Sequence, residues 1–325
     1  MRTLILENRT LRMVVLVDKG SDVMELRHKP KDVDVLWHSP VGYRVRSSHG
    51  GLLETPDSGF MDGYGGGWQD ILPSTDSGPL AVHGAPFGLH GESAVVPWEA
   101  RIEQEGGETA RATLTVEGLR YPYRVEKTMS LRADESVVRI GEKLTNTGRQ
   151  RLEFYWLHHP AYGEPFLAPG CRVELPHGSR VVNPESINPR GRVAGGEFDW
   201  PVVRARDGSG PIDLSLIPPK GVRAEETNFV RVREGRYSVT NEALGLSVGL
   251  RWDASVFPWV WFWQNYGTLD YPYYGRAWNV ALEPSTSLPT IMDQKEHAGT
   301  LALDGGASME TEIRMSLDAT DAPRP

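Results

Sequence analysis

Short runs of residues that alternate between apolar and polar side chains recur along this chain. They are rich in Val, Leu, Thr and Tyr and are bounded by Gly, Asn or Asp, as is typical of half-buried β-strands. The plainest runs are LRMVVLVD, RATLTVEG, YRVEKTMSLRA, ESVVRIGEKLTN, YSVTN and LGLSVGLRW. No window of ten or more residues keeps a 3.6-residue apolar stripe, so helix should be scarce. The sequence therefore predicts an all-β, antiparallel protein with few short helices.

The C-terminal region predicts two last strands. The segment GTLALDGGASMETEIRMSL indicates a strand, a Gly-rich turn at 304–306 and a second alternating strand. We expect 318–325 to form a polar tail. Since no repeat, linker or charge block marks a boundary, we expect 1–317 to form one β-sandwich domain of large stacked sheets. Long connections at 49–98 and 160–200 are suited to shaping a binding cleft.

Composition and charge exclude several classes of protein. The 325 residues include 43 acidic and 35 basic ones, a formal net charge of −8, and the bases are scattered without the cluster that a phosphate backbone requires. The single Cys171 cannot form an internal disulfide, and charges interrupt 1–20, which argues against a signal peptide. No apolar run approaches the roughly 20 residues that cross a bilayer. We therefore expect a cytoplasmic protein that binds neither nucleic acid nor membrane; its oligomeric state stays open.

Motifs of several common chemistries are missing from the sequence. It contains no Walker-type phosphate loop, no GxSxG nucleophile elbow and no HExxH metal helix. The adjacent His158 and His159 suggest a metal site, but successive side chains of a strand point to opposite faces and cannot share one ion without a bulge. Since no second set of ligand residues is clustered in the sequence, we expect no metal. One histidine should face a cleft and the other should pack, although alternation alone does not decide which.

Four separated stretches resemble the aldose 1-epimerase superfamily, the galactose mutarotase-like proteins, and occur in the family's order. They are GLHGESAVVPWEA, EKLTNTGRQRLEFYWLHHPAYG, ETNFVRV and WNVALEPSTSLP. The chain resembles a divergent bacterial branch more than the galactose mutarotases proper, as shown by the segments GGWQDILPS and HHPAYGEPFL. The resemblance implies a large antiparallel β-sandwich of the galactose mutarotase-like supersandwich type, with a shallow cleft for a small-molecule sugar and no cofactor. It implies an isomerase that interconverts the α and β anomers of a free aldose.

That reaction needs two opposed proton carriers. A base takes the proton of the C1 hydroxyl while an acid protonates the ring oxygen, and the opened aldehyde rotates and closes with the roles reversed. By resemblance, Glu283 in ALEPST matches the family's base, and His159, followed by Pro160, matches its acid. His158 is then expected to be structural. His90 in LHGE matches a second histidine that binds the sugar near its ring oxygen.

The remaining candidates would bind the sugar. Glu226 in ETNF occupies the place of a family aspartate. The family's sugar-binding arginine has no counterpart in GGGWQDILPS, where Gln69 and Asp70 could bind hydroxyls instead. The other residues that we consider for the cleft, either as rings for stacking on a sugar or as a polar partner, are Trp68, Trp263, Tyr162 and Gln264.

Three functions stay open. The first is a mutarotase or a related sugar epimerase. The second is a non-catalytic carbohydrate-binding protein on the same scaffold. The third is another sandwich-fold sugar enzyme, a lyase or a hydrolase, although a hydrolase needs two spaced carboxylates and Glu283 has no partner within a motif. The presence of both His159 and Glu283 favours the first. The sequence does not identify the sugar, but the missing arginine and the acidic chain argue against a strongly anionic one.

Overall fold

Strands dominate the computed structural model, which describes residues 1–43, 58–75, 78–79, 85–184, 186–289 and 301–320. The strands are β1 (Thr3–Glu7), β2 (Leu11–Leu16), β3 (Asp22–His28), β4 (Val33–Asp34), β5 (Trp68–Ile71), β6 (Gly78–Pro79), β7 (Pro86–Phe87), β8 (Glu99–Gln104), β9 (Thr109–Glu117), β10 (Tyr123–Arg132), β11 (Val137–Asn146), β12 (Leu152–Phe154), β13 (Leu157–Tyr162), β14 (Arg172–Glu174), β15 (Arg180–Asn183), β16 (Gly196–Asp199), β17 (Val202–Arg204), β18 (Pro211–Asp213), β19 (Ala224–Arg231), β20 (Arg236–Asn241), β21 (Leu246–Arg251), β22 (Trp259–Tyr266), β23 (Trp278–Ser285), β24 (Leu301–Leu303) and β25 (Ser308–Ala319).

Helix is scarce in the described part of the chain. It consists of α1 (Ser58–Met61) and short 3-10 turns at Lys29–Lys31 and Ser93–Val95. None of the described helices is long and apolar enough to cross a membrane. The predicted all-β class is therefore confirmed.

Two large antiparallel sheets form the sandwich. The first, called here the large sheet, has the strand order β1-β2-β3-β5-β13-β23-β22-β19-β15-β16, with β4 paired to β3. The second sheet has the order β14-β20-β21-β25-β11-β10-β9-β8. Small pairs β12-β24, β17-β18 and β6-β7 complete the described strands. One hydrophobic cluster includes buried side chains from both sheets, among them Phe262 of β22 and Leu144 of β11, and forms the core between them.

The last strands extend further than the sequence predicted. Strands β24 and β25 flank the expected Gly-rich turn, but they do not pair with each other: β24 pairs with β12, whereas β25 lies between β11 and β21. Strand β25 continues to Ala319, which pairs with Leu246. The expected tail therefore begins later than residue 318, and 321–325 lie outside the described residues.

Burial differs between the two sheets. Strands β10 and β11 of the second sheet alternate almost perfectly between buried and partly exposed residues, because one face meets the core and the other meets water. Strand β13 of the large sheet is buried at every position, and β22 and β23 are buried at all but one. A second hydrophobic cluster, which includes Trp37, Phe60 and Tyr273, covers the other face of these central strands. Side chains on both faces are therefore enclosed, which explains the nearly continuous apolar run WVWFW.

Four ionisable side chains meet inside the core between the sheets. Lys127 Nζ lies 3.3 Å from Asp70 Oδ2, and His158 Nε2 lies 2.9 Å from Glu142 Oε2. Trp156 Nε1 donates to the other Asp70 oxygen at 2.6 Å. All four are nearly inaccessible to water. A buried charge is tolerated only when it is paired, so these contacts join β5 and β13 of the large sheet to β10 and β11 of the second sheet.

The pKa values of the cluster follow from burial and from these pairings. Burial opposes a charge on Asp70, but Lys127 and His158 outweigh it and lower the pKa of Asp70 to about 2. Burial and the charge of Asp70 raise the pKa of Glu142 to about 7. Burial disfavours the charged form of His158, but Glu142 outweighs it and raises the pKa of His158. Glu142 and His158 therefore hold protons more tightly in the folded protein than in the unfolded chain.

The cluster predicts that stability falls as pH rises through the neutral range. Because the folded pKa of Glu142 is about 7, against an ordinary value of 4.5, its proton stabilises the fold fully below pH 4.5, and this contribution is lost as pH rises through 7. The Glu142→Gln variant should lose most of this dependence, on the order of 2 kcal/mol. Melting temperatures at several pH values check this, with Glu126→Gln at a partly exposed position of β10 as the control. An unchanged pH slope in Glu142→Gln would contradict the assignment.

Candidate functional site

A pocket of about 250 Å³ opens on the face of the large sheet that points away from the second sheet. Its floor is formed by β13, β23, β22 and β19, and its walls come from α1, from the turn that carries His90 and from the segment that carries Tyr273. The lining residues are Phe60, Met61, Tyr64, Thr75, Leu89, His90, His159, Glu225, Thr227, Trp261, Trp263, Tyr273 and Glu283.

Strand alternation decides which side chains reach the pocket. In β5, β13, β19, β22 and β23 the even-numbered residues supply the core between the sheets, and the odd-numbered residues supply the pocket face. The register agrees, because Trp261 pairs with Glu283 and Trp263 pairs with Thr227. Direct cross-strand partners share a face. His159 therefore faces the pocket while His158 points into the inter-sheet core.

His159 and Glu283 are in direct contact on the pocket floor. His159 Nε2 lies 3.3 Å from Glu283 Oε1, and the side chains are only 5% and 3% exposed. The Tyr64 hydroxyl lies 3.3 Å from His159 Nδ1, so both ring nitrogens have a polar neighbour. Burial raises the pKa of Tyr64 well above its usual value, which keeps its proton on the hydroxyl. The two groups stand side by side, not opposed across a cleft as the sequence analysis expected.

Aromatic rings enclose this pair. Tyr64, His90, Trp263 and Phe60 surround the His159 ring with centroid distances of 5.4, 5.6, 5.8 and 6.5 Å. Such an environment disfavours charge on either partner. Burial raises the pKa of Glu283 well above its usual value. Burial, with a smaller effect of His90, lowers the pKa of His159 to about 3.

His90 reaches the pocket from a strained turn. Its φ of 62° lies in the left-handed region, as does the φ of 67° at Gly91. A Cβ on Gly91 would lie 2.3 Å from the Leu72 carbonyl oxygen, so only glycine fits there. His90 Nδ1 donates to the Thr75 carbonyl at 2.7 Å, which leaves Nε2 for another partner. Burial lowers the pKa of His90 to about 4, so the ring is neutral at neutral pH.

Glu225 and Thr227 were not predicted from the sequence. Both line the pocket from β19, and Glu225 accepts a hydrogen bond from Thr268 Oγ1 at 3.2 Å. Burial raises the pKa of Glu225. The register could have indicated them, because Thr227 pairs with Trp263 and therefore has the same facing.

Of the sequence candidates, the structure brings Glu283, His159, His90 and Trp263 together at the pocket. Three others lie in the inter-sheet core. Trp68 packs against the His158 ring at 6.1 Å and Asp70 pairs with Lys127. The Tyr162 hydroxyl lies 2.7 Å from the hydroxyl of Tyr237.

Trp68, Asp70 and Tyr162 do not reach the pocket because they occupy even-numbered positions of their strands, which point into the core between the sheets. The same alternation that brings His159 to the pocket face turns Trp68, Asp70 and Tyr162 to the opposite face. Strand geometry thus corrects these three assignments.

Glu226 and Gln264 also point away from the pocket. Arg192 Nη2 donates to Glu226 Oε1 at 2.8 Å and to Gln264 Oε1 at 2.9 Å. The other Glu226 oxygen accepts the backbone N–H of Arg192 at 2.7 Å. Glu226 thus forms a structural ion pair with Arg192, and Gln264 adds a hydrogen bond to the same guanidinium. Glu225 is the acidic residue of β19 that faces the pocket.

Gln69 shares the pocket face, as the partner of His159, but does not line the pocket. It is fully buried, and its Nε2 donates to the Gly66 carbonyl at 2.6 Å. It is therefore not one of the groups that a ligand in this pocket would meet.

The inter-sheet cluster is the only group of metal-type ligands that the described residues bring together. Oxygen or nitrogen atoms of Asp70, Glu142 and His158 lie within 4.8 Å of one another. The sequence predicted no such set around the paired histidines. However, the ammonium of Lys127 already neutralises Asp70 at 3.3 Å, and its positive charge would repel a metal ion.

The fold is that of the galactose mutarotase-like β-sandwiches. The chain resembles a protein of Klebsiella pneumoniae, described provisionally as an aldose 1-epimerase, with a TM-score of 0.73 and 16% identity over 96% of this chain and 77% of that one. A similarly described Escherichia coli protein has a TM-score of 0.66 and 16% identity over 98% of this chain and 99% of that one. A galactose mutarotase-like protein of Clostridium acetobutylicum has a TM-score of 0.68 and 12% identity over 98% of this chain and 95% of that one.

Sequence comparison assigns the chain to a family. The sequence model of a protein family described as "Domain of unknown function (DUF4432)" matches residues 1–203, and the chain belongs to this family. A comparison with curated proteins gives no match.

The opposite facings of Glu225 and Glu226 predict different effects on stability. Glu226→Gln leaves the partly buried Arg192 without its countercharge and should lower the free energy of unfolding by about 3 kcal/mol. Glu225→Gln, the matched change one residue earlier, should change it by less than about 1 kcal/mol, because no described cation lies within ion-pair distance of Glu225. Chemical denaturation of both variants checks this. Equal destabilisation would contradict the assigned facings.

Proposed function

We propose that the protein is an aldose 1-epimerase-type isomerase that interconverts the α and β anomers of a free sugar. The observation that carries the proposal is the contact of His159 with Glu283, 3.3 Å apart on the floor of a water-poor pocket. An acid and a base in contact, surrounded by aromatic rings that suit a sugar, are the groups that this reaction requires.

The reaction explains why the two groups should be neighbours. The C1 hydroxyl, which loses a proton, and the ring oxygen, which gains one, are both bonded to the anomeric carbon. Two carriers that serve these atoms must therefore be close to each other. In our proposal Glu283 takes the hydroxyl proton and His159 protonates the ring oxygen, so that the C1–O bond of the ring breaks. Rotation of the aldehyde and closure with reversed proton transfers give the other anomer.

His159 and Glu283 together hold the single proton that ring opening requires. Burial favours neutral partners, with the proton on Glu283 and a neutral His159. Hydroxyl groups of a bound sugar would donate to the carboxylate and favour transfer of the proton to His159. The resulting carboxylate and imidazolium are the base and acid of ring opening.

The other lining residues support sugar binding. His90 Nε2 is available to the ring oxygen, and Trp263 offers a face on which the C–H side of a pyranose can stack. Glu225 and Thr227 supply acceptors and a donor for hydroxyl groups. A volume of about 250 Å³ suits one monosaccharide. We expect no cofactor, because the steps are proton transfers, and we still expect a cytoplasmic location.

A second carboxyl in the pocket raises the alternative of a hydrolase. Glu225 and Glu283 lie two strands apart and, by their pairings with Asn265 and Trp261, four residues apart along the strands. Strand geometry puts their Cα atoms about 16 Å apart. Glycoside hydrolases separate their carboxyl groups by only about 5–10 Å. A Cα separation does not fix the distance between the carboxyl groups, so the choice rests on the contact of His159 with Glu283, which favours the isomerase.

Removal of either proton carrier should abolish most of the activity. Glu283→Gln and His159→Asn should each lower kcat by about 10²–10⁴-fold with the fold intact, because proton transfer loses its carrier. Polarimetry or anomeric NMR on freshly dissolved sugars measures this, and circular dichroism checks folding. Glu225→Gln, the control at the pocket edge, should mainly raise KM. Full activity of Glu283→Gln would exclude the mechanism.

The protein should be active over a wide pH range, and kcat/KM should fall on both sides of that range. The pair has its single proton between the pKa of His159, lowered to about 3, and the raised pKa of Glu283. Below this range both groups are protonated and no base remains; above it both are deprotonated and no acid remains. We expect kcat/KM to hold through mildly acidic and neutral pH and to fall in alkali. A rate that is flat to high alkaline pH would count against acid and base catalysis by this pair.

A further inference from the structure

The two ends of the pocket differ in polarity. At one end Phe60 packs edge-on against the His90 ring, with a centroid distance of 4.5 Å, and Leu89 lines the wall beside it. At the other end stand Glu225 and Thr227. The reacting pair of His159 and Glu283 lies between them.

Strand order keeps these ends apart. His90 and Leu89 lie beside β5, since Gly91 bridges to Leu72 directly after that strand. From there the sheet runs through β13 with His159, β23 with Glu283 and β22 to β19 with Glu225. Three strand spacings, about 14 Å, separate β13 from β19. The apolar end is therefore on the His159 side, and the polar end is on the far side of Glu283.

The chemistry of a pyranose orients it between these ends. Its hydroxyls on C2, C3 and C4 need hydrogen-bond partners and belong at the polar end, while C1 lies at the reacting pair. The ring oxygen and C5 then point toward His159 and His90. The substituent on C5 consequently meets Phe60 and Leu89.

A hydroxyl on that substituent would have poor partners. The Thr75 hydroxyl oxygen has no hydrogen-bond partner among the described residues, but it also has almost no accessible surface, and the Thr75 carbonyl already accepts from His90. The other polar groups of this end, among the described lining residues, are His90 Nε2, assigned above to the ring oxygen, and the Tyr64 hydroxyl, which lies against His159 Nδ1. The side chains beside them are the apolar Phe60 and Leu89. A methyl group fits such a wall, whereas an unpaired hydroxyl is disfavoured there.

We propose that the preferred substrates are free 6-deoxyhexoses, which carry a methyl group on C5 in place of a hydroxymethyl group. This assignment rests on the proposed isomerase function and on the orientation of the ring between Glu225 and Leu89. The apolar end selects the C5 substituent, and the polar end binds the ring hydroxyls.

The test uses pairs of sugars that differ only at C6. D-Fucose with D-galactose, D-quinovose with D-glucose, and L-rhamnose with L-mannose are each followed by polarimetry with the full-length wild-type protein. In the pair with the correct ring stereochemistry, kcat/KM for the 6-deoxy sugar should exceed that for its parent by about 10–100-fold. Equal or faster turnover of the parent hexose would overturn the inference and leave the isomerase function standing. Acceleration of neither member in any pair would overturn both.

A wall variant tests the cause of the preference. Leu89→Asn adds a partner for a hydroxyl, so the ratio of kcat/KM values within the accepted pair should fall toward one. Leu89→Met keeps the wall apolar and should retain the preference, which makes it the matched control. An unchanged ratio in both variants would show that Leu89 does not meet the C5 substituent and would contradict the proposed orientation.

Discussion

Burial of the central strands of the large sheet on both faces is the constraint on which the site depends. Most sandwich strands present one face to the core and one to water, so their polar residues are solvated. Here β13, β22 and β23 are enclosed on both faces, so a polar side chain on them is costly unless it finds a partner in the protein or in a ligand. The same enclosure removes the water that would otherwise screen His159 and Glu283.

Each face of these strands meets this demand in its own way. On the inner face, Asp70, Lys127, Glu142 and His158 neutralise one another and join the two sheets. On the pocket face, His159 is the only ion-pair neighbour of Glu283 among the described residues, and burial alone sets the direction of the pKa shift of Glu283. An unneutralised carboxyl of this kind is costly for folding. A raised pKa lets such a carboxyl keep its proton to higher pH, which is the property that the proposed acid and base chemistry uses.

The sequence was sufficient for the fold class and for singling out His159 and Glu283, which meet on the pocket floor. The strands alternate clearly in the second sheet, where one face meets water, and the motifs around His159, Glu283 and His90 are local. On β19 and β22 the sequence did not show which of two adjacent residues faces the pocket. Enclosure on both faces removes the polar and apolar contrast there, so Glu226 and Gln264 could not be told from Glu225 and Trp263 without the register. The inter-sheet cluster depends on strands distant in sequence, which no local pattern reveals.

The opposite facings of His158 and His159 have a consequence for how this family can diverge. Deletion or insertion of one residue within β13 would exchange the two histidines, so that the interior His158 entered the pocket and His159, the proposed proton carrier, was sealed in the core. A single substitution in β13 changes one side chain on one face, but a change in the length of the strand would reverse the direction of the side chains on both faces. Homologues should therefore vary in length in the flanking loops and keep β13 free of gaps.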